Sequence, residues 1–499
     1  MEAETTLGQK FKLLAGQGVL YGAGSIAGRL AGIILIPLYT RVLATSEYGI
    51  LGLILITGQV AGVVFSLGLR QGLVRSFFDY DRDKDRKIVI STVIFLTAFN
   101  SIFLLLCGLF FAGLLSKSLF GTSEYGFYFI LIIAGTVCDM FNQIAFSVFR
   151  VRHEAKNFVL YQTLSLLARA GIIIYLVAVA GWGIKGVIVG QLIANGISMV
   201  FLLWLIRNHI VARFSISEAG RLVRYGTPLA FVGIFAFVMN YLDRIILNHY
   251  VTLDEVGLYT LAYQLGMLVN IVLIAPLKRL WAPVFLSVKE DANFSRFCAK
   301  SLTYVMAIAG FVFLLIGLLS REVLVIMSAR QYWDSYRVIP IIALTYSVWS
   351  VRSMVDVGVV LKRKTGAIAL CTSIGAVLNI DLNLILIPRY GMVGAAWATL
   401  ISFMVTLGLS YAYNRSLFRI EYEWARLVKI CAVVVVIFSA GYLYQISNLY
   451  LSIAFKLGII IVLYPLGLFL VSFFDKPETD RIKKTAGAIA GYLRREKLF

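Results

Sequence analysis

The sequence predicts an all-α polytopic membrane protein with about fourteen transmembrane helices. They form two six-helix lobes related by an internal repeat, plus two further helices at the C-terminal end. Three observations carry this: long apolar runs recur along all 499 residues, basic residues crowd into alternate connections, and the chain aligns with itself at a constant offset of 208. Residues are 60% hydrophobic and 14% charged, against about a quarter charged in soluble domains. The net charge of +20 lies in short connections between apolar runs, so it is a topology signal and not a nucleic-acid footprint.

The apolar runs are 16–39, 48–69, 88–115, 126–149, 158–181, 184–206, 225–248, 256–277, 300–319, 338–361, 366–388, 392–414, 427–446 and 451–473, numbered here as spans 1 to 14. Each approaches or exceeds the roughly 20 residues that cross a ~30 Å hydrocarbon core as a helix, and a helix satisfies its own backbone in lipid. With the N-terminal side taken as one face, 34 of the 46 Lys and Arg fall on that face and 6 in the alternate connections. The positive-inside rule then predicts a multi-pass protein of the cell (inner) membrane with both termini cytoplasmic. The tail after Lys476 has Ile482, Ala486, Ile489 and Leu493 at helical spacing among basic residues and is expected to lie on the membrane surface. The same is expected of 215–223, where Ser215 and Glu218 have capping-box spacing. Cys107, Cys138, Cys298, Cys371 and Cys431 are scattered without metal-ligand or disulfide spacing, and no metal site is expected.

At the offset of 208, Gln17-Gly18 meets Tyr225-Gly226, and Glu47-Tyr48-Gly49 meets Glu255-Val256-Gly257. Gly183 and Gly186 meet Gly391 and Gly394, and Arg207 meets Arg415. Six spans per copy make the halves parallel, related by an axis along the membrane normal, an arrangement known in transporters with the substrate site between halves. The expected divisions are 1–208, 209–416, 417–474 for spans 13 and 14, and 475–499 for the tail.

Charges inside spans are costly and mark sites or ion pairs. Arg29 lies on a small, polar face of span 1 with Gly18, Gly22, Ser25 and Gly32; Arg169 shares a face of span 5 with Gln162 and Ser165. In span 7, Gly233, Asn240 and Arg244 share a face, while Asp243 and Arg244, being adjacent, are not expected to face each other. Arg352 and Asp356 in span 10 have the i, i+4 spacing of a structural pair. Asp139 in span 4 and Asp381 in span 11 complete the set. Arg29, Arg169, Arg244, Arg352 and Asn240 are the candidate substrate-binding residues of a cationic cavity; Asp139, Asp243, Asp356 and Asp381 are candidates for ion coupling by H+ or Na+. The simpler reading of each arginine is an ion pair with one of these aspartates. The repeat duplicates the scaffold but not the charges: Arg29, Arg169 and Arg244 align with Phe237, Val377 and Ile36. An excess of guanidinium at depth suits an anionic, phosphate-bearing substrate.

The segments Leu35-Ile36-Pro37-Leu38-Tyr39-Thr40-Arg41-Val42-Leu43, Glu47-Tyr48-Gly49, Tyr225-Gly226-Thr227-Pro228-Leu229, Asp243-Arg244-Ile245-Ile246-Leu247 and Val256-Gly257-Leu258-Tyr259 resemble the bacterial polysaccharide and O-antigen flippases. Those belong to the superfamily of multidrug, oligosaccharidyl-lipid and polysaccharide exporters. The resemblance implies two lobes around a central cavity and alternating-access translocation of a polyisoprenyl-diphosphate-linked oligosaccharide for cell-surface polysaccharide synthesis. It implies membrane lipids, and a polysaccharide polymerase or glycosyltransferases, as partners, and no cofactor beyond a coupling ion. A lipid II flippase and a multidrug/cation antiporter of the same superfamily are the alternatives; an antiporter is expected to carry acids rather than arginines at depth. An enzyme acting on the same lipid is not expected, because the connections are short and His153, His209 and His249 lie at span ends without ligand or triad spacing.

Overall fold

A computed structural model describes residues 32–274, 276–277, 285, 293–362, 364, 366–444, 446–475 and 478–479. Arg29, the rest of the small-residue face of span 1 before Gly32, and the amphipathic tail after Thr479 lie outside the described residues. Among the described residues eleven helices are long and apolar enough to cross a membrane, and the bent pair Arg330–Arg337 and Ile339–Val355 adds a twelfth span. The 52-residue helix Gly366–Leu417 contains a non-helical Gly391 and supplies two crossings, spans 11 and 12. At 1.5 Å per residue it is over twice as long as one bilayer core is thick. With the short Gly32–Val42 helix at the end of span 1, helical segments occupy all fourteen expected positions.

The repeat is built into the contacts. Span 2 (Thr45–Phe65) crosses span 8 (Leu253–Gly266) where Gly49 and Gly257 meet. A Cβ on Gly49 would lie 2.3 Å from the Leu253 carbonyl oxygen; a Cβ on Gly257 would lie 2.0 Å from the Thr45 carbonyl oxygen. Gly49 and Gly257 are repeat mates, and so are Thr45 and Leu253, so each half makes the same contact on the other. Only glycine permits this backbone approach, as in close-packed membrane helix pairs. Both helices begin with a glutamate at the same repeat position: Glu47 accepts the Ala44 N–H at 2.8 Å, and Glu255 accepts the Met392 N–H at 2.6 Å. The turns between spans 5 and 6 and between spans 11 and 12 also correspond, with Gly183 at φ 51° and its mate Gly391 at φ 54°. That left-handed conformation is strained for any residue with a Cβ.

On the face poor in Lys and Arg, the 3₁₀ segment Arg330–Arg337 covers this crossing. The Tyr332 hydroxyl, fully buried, lies 3.0 Å from the carbonyl oxygens of both Leu43 and Ala44, and Ser335 donates to Leu258 O at 2.9 Å. Spans 13 (Trp424–Leu443) and 14 (Leu449–Leu470) dock on the second half, where the Tyr464 hydroxyl donates to Ala307 O at 2.6 Å. Buried Lys456 of span 14 lies 2.6 Å from Glu322, which also accepts from Ser452 at 2.6 Å.

One expectation about the basic face is corrected. Residues 215–223 do not form a separate surface helix. Ser215 does cap the Glu218 N–H at 3.3 Å, but the helix runs unbroken from Ile216 to Phe237 into span 7. Its first turns are held by packing rather than by a bilayer surface. Leu222 is fully buried against the short helix Leu69–Phe77, and Glu218 accepts from the Tyr80 hydroxyl at 2.5 Å. That hydrogen bond to the Glu218 carboxylate, with burial, raises the pKa of Tyr80 above the ordinary phenol value.

Candidate functional site

A cavity of about 960 Å³ lies between the halves. Spans 1 to 6 wall one side; spans 7, 8 and 10 wall the other. Its walls differ in kind. Among the described residues every charged group comes from the first half: Arg70, Asp139 and Arg169. The second half contributes amides and aromatic rings, chiefly Asn240, Tyr241, Gln264, Tyr346 and Trp349.

Arg169 is the best-developed cation of the cavity. Its Nη2 donates to Asn195 Oδ1 at 2.5 Å. Asn195, 2% exposed, is itself pinned to span 4: its Nδ2 donates to Gly135 O at 3.0 Å, and its carbonyl accepts from Asn142 at 3.1 Å. Asn195 therefore fixes one edge of the guanidinium. The Arg169 Nε is buried and has no hydrogen-bond partner among the described residues, and no carboxylate lies within ion-pair distance there. Asp139 and Tyr39, also at the cavity, interact electrostatically with Arg169 from a greater distance. At the basic end Arg70 donates to Gln143 at 3.2 Å. A guanidinium held on one edge with donors left over can take a phosphate group.

Arg244 and Arg352 are committed elsewhere. Arg244, 4% exposed, does not line the cavity. Its Nη1 donates to Asn240 O at 2.8 Å and its guanidinium lies 4.0 Å above the Tyr263 ring, with Tyr241 and Tyr259 also in cation–π range. The expectation that Asp243 and Arg244 do not face each other is corrected: Nη1 lies 3.6 Å from Asp243 Oδ1. The long arginine side chain turns back toward the preceding π-helical turn, Val238–Leu242, to reach the carbonyl four residues earlier, and meets the carboxylate there. Asp243 is fully buried, accepts from the Tyr259 hydroxyl at 2.5 Å, and lies 3.5 Å from the Thr399 hydroxyl.

Arg352 and Asp356 lie 3.5 Å apart, as their spacing anticipates; Arg352 also bonds Ser410 at 3.1 Å and Thr372 at 2.9 Å, joining span 10 to spans 11 and 12 away from the cavity. Asp381 is exposed and outside the cavity lining. Asn240 is shared between network and cavity: its Oδ1 accepts from Tyr346 at 2.9 Å and Tyr263 at 3.4 Å. The sequence reading missed Asn195 and Gln191 of span 6. Their signal was two polar side chains four apart in an otherwise apolar run. No group of three or more metal-ligating side chains occurs among the described residues.

Comparison with known proteins agrees with this architecture. The polysaccharide biosynthesis protein family matches residues 38–337, more than half of the chain. The chain belongs to that family. It is 26% identical over 215 residues to the "probable low-salt glycan biosynthesis flippase Agl15" of Haloferax volcanii, a match covering 43% of this chain and 46% of the relative. The alignment thus spans less than half the length of that curated protein. Among solved structures the fold resembles the lipid II flippase MurJ in an inward closed conformation, with TM-score 0.76 and 15% identity over 90% of this chain and 98% of that one. It also resembles an inward-facing multidrug resistance MATE transporter, with TM-score 0.61 and 14% identity over 81% of this chain and 96% of that one. At these identities the likeness establishes the fold alone, that of a multi-pass, all-helical membrane protein.

Proposed function

We propose that this protein is a flippase that moves a polyisoprenyl-diphosphate-linked oligosaccharide across the membrane by alternating access, for the synthesis of a cell-surface polysaccharide. The single observation carrying the reading is the divided cavity. Arg169, fixed on one edge by Asn195 with its Nε unpartnered among the described residues, offers a guanidinium for the diphosphate. The opposite wall of Asn240, Gln264, Tyr346 and Trp349 offers amides and ring faces to sugar hydroxyls and C–H groups. Family membership, and the name of the Haloferax volcanii relative, support the same class of substrate.

In this reading Arg169 and Arg70 bind the headgroup, while Arg244 and Arg352 hold the second half together and act on substrate only by shaping its wall. Arg29 remains a further candidate for the cationic cavity. Asp139 is the coupling candidate favoured here, since it lines the cavity, whereas Asp243 and Asp356 are engaged by Arg244 and Arg352. Orientation follows from the basic-residue asymmetry: termini on the cytoplasmic side of the cell membrane, with the Tyr332 cover facing outward. The substrate enters from the inner leaflet and leaves from the outer, and is made and used by glycosyltransferases and a polymerase that act on the same lipid. The protein does no covalent chemistry in this scheme.

A second reading, cation-coupled drug efflux, is favoured by the MATE-like fold and by Asp139 in the cavity. The two arginines there repel cationic drugs and weigh against it. Reconstituting the protein with a labelled polyprenyl-diphosphate sugar, and separately with a cationic dye under a proton or sodium gradient, tests both. Sugar-lipid transfer without dye efflux is the expected result; dye efflux without sugar-lipid transfer overturns the proposal.

A further inference from the structure

We infer that the protein has a second anion site, outside the central cavity, that binds the headgroup of an anionic phospholipid where spans 12 and 13 meet on the basic face. A pocket of about 260 Å³ lies in this elbow. The last turns of span 12 supply Tyr411, Asn414 and Arg415, the connection supplies Arg419, Glu421 and Tyr422, and span 13 opens with Trp424. Its floor is fixed: buried Asn414 accepts the Val359 N–H at 3.0 Å and donates to Ser410 O at 3.0 Å. One wall is aromatic, with Tyr411 and Trp424 meeting edge to face at 5.5 Å and Tyr422 within 6.1 Å of both.

The charge is in surplus. Arg415 and Arg419 are exposed, and neither guanidinium has an ion-pair or hydrogen-bond partner among the described residues. Among the described residues lining it, Glu421 is the one carboxylate against two arginines, leaving a net positive charge. The repeat sharpens this. Arg415 aligns with Arg207, whose guanidinium folds back onto its own helix, donating to Trp204 O at 3.0 Å and lying 4.5 Å above the Trp204 ring. Tyr411 aligns with Leu203, so the first half has neither the free arginine nor this ring.

The occupant is a lipid rather than a free anion because an apolar track leads away from the pocket. Trp424 (55% exposed), Val428 (65%) and Val435 (62%) recur at helical spacing along one face of span 13, positioned for an acyl chain. An interfacial tryptophan at the head of such a track, beside two arginines, suits a phosphate at headgroup depth with its chains in the bilayer.

The test is native mass spectrometry of the full chain, delipidated in detergent and titrated with phosphatidylglycerol, phosphatidylcholine, polyprenyl phosphate or inorganic phosphate. We expect a tightly held phosphatidylglycerol, not displaced by millimolar phosphate or by equimolar phosphatidylcholine or polyprenyl phosphate. Arg415→Ala and Arg419→Ala should each weaken it about fivefold, from the typical worth of one surface arginine near an anionic headgroup. Arg207→Ala, the repeat counterpart, should leave it unchanged. Equal retention by R415A/R419A and wild type would overturn the inference. So would displacement by inorganic phosphate or polyprenyl phosphate, which would assign the site to a free anion or to the carrier lipid.

Discussion

Replacing Gly257 by alanine should strain the crossing of spans 2 and 8 by an amount the geometry sets. The new Cβ would lie 2.0 Å from the Thr45 carbonyl oxygen and 3.1 Å from the Gly49 nitrogen. The first distance is about 1.5 Å short of an ordinary non-bonded contact. Both obstacles are backbone atoms, so no side chain can swing aside and the helices must separate. Overpacking of this kind costs about 1–3 kcal/mol, and a backbone-on-backbone clash belongs at the upper end. Gly49→Ala makes the mirror clash, 2.3 Å from Leu253 O, and should cost nearly as much. One separation relieves both clashes, so the double variant should cost clearly less than the sum of the singles. Thermal unfolding of the four proteins in one detergent, as a double-mutant cycle, measures this. Strict additivity, or a stability loss below about 0.5 kcal/mol for either single variant, would refute a symmetric glycine crossing.

Three further outcomes follow from the buried charges and from the start of the tail. Lys456→Met leaves Glu322 buried and unpaired and should lower stability by about 3–5 kcal/mol, and adding Glu322→Gln should restore most of it in the same melts. Arg244→Leu should remove most of the folded protein by stranding Asp243, while Asp243→Asn in the same chain recovers a monodisperse peak on size exclusion; a lone Arg244→Leu that folds normally would contradict the structural role. Glu478 couples the tail to pH. Burial opposes its ionisation, but hydrogen bonds from Tyr304, the Asp475 N–H and Lys300, with the Arg426 charge, more than offset this and hold its carboxyl at about 2, below the ordinary 4.5. A depressed carboxyl stabilises the docked state fully above the ordinary value and loses that contribution as pH falls from about 4.5 to about 2. Protease cleavage at the start of the tail should therefore rise through that window in wild type, and should be higher at neutral pH and less pH-dependent in Glu478→Gln, where Asp475 still pairs with Lys300 and Arg426.

Much of the scaffold was legible because the repeat leaves its mark on glycines. Gly49 and Gly257, Gly183 and Gly391 stand at the same offset in the sequence and do the same work in the fold. Arg352 and Asp356 were legible from helical spacing alone. Arg169 was legible as a lone cation among polar neighbours at helical intervals, but its anchor Asn195 was not, because a contact between separate spans has no sequence spacing. The Asp243–Arg244 pair was missed for a different reason: a helical wheel places Cβ atoms, whereas an arginine of this length chooses its own direction once a carbonyl and three rings receive it. Glu322 and Lys456 are 134 residues apart, and a lysine in an apolar span gives no clue to its partner.

The central claim, that Arg169 receives the phosphate of a lipid-linked sugar in the divided cavity, is tested most directly by leaflet-to-leaflet transfer of a labelled polyprenyl-diphosphate sugar in liposomes. Wild type, Arg169→Ala and Asn195→Ala should be compared at equal amounts of correctly folded protein. The account predicts transfer by wild type, its near-complete loss in Arg169→Ala, and partial loss in Asn195→Ala, where the guanidinium remains but is no longer held. Transfer by Arg169→Ala at the wild-type rate would contradict it.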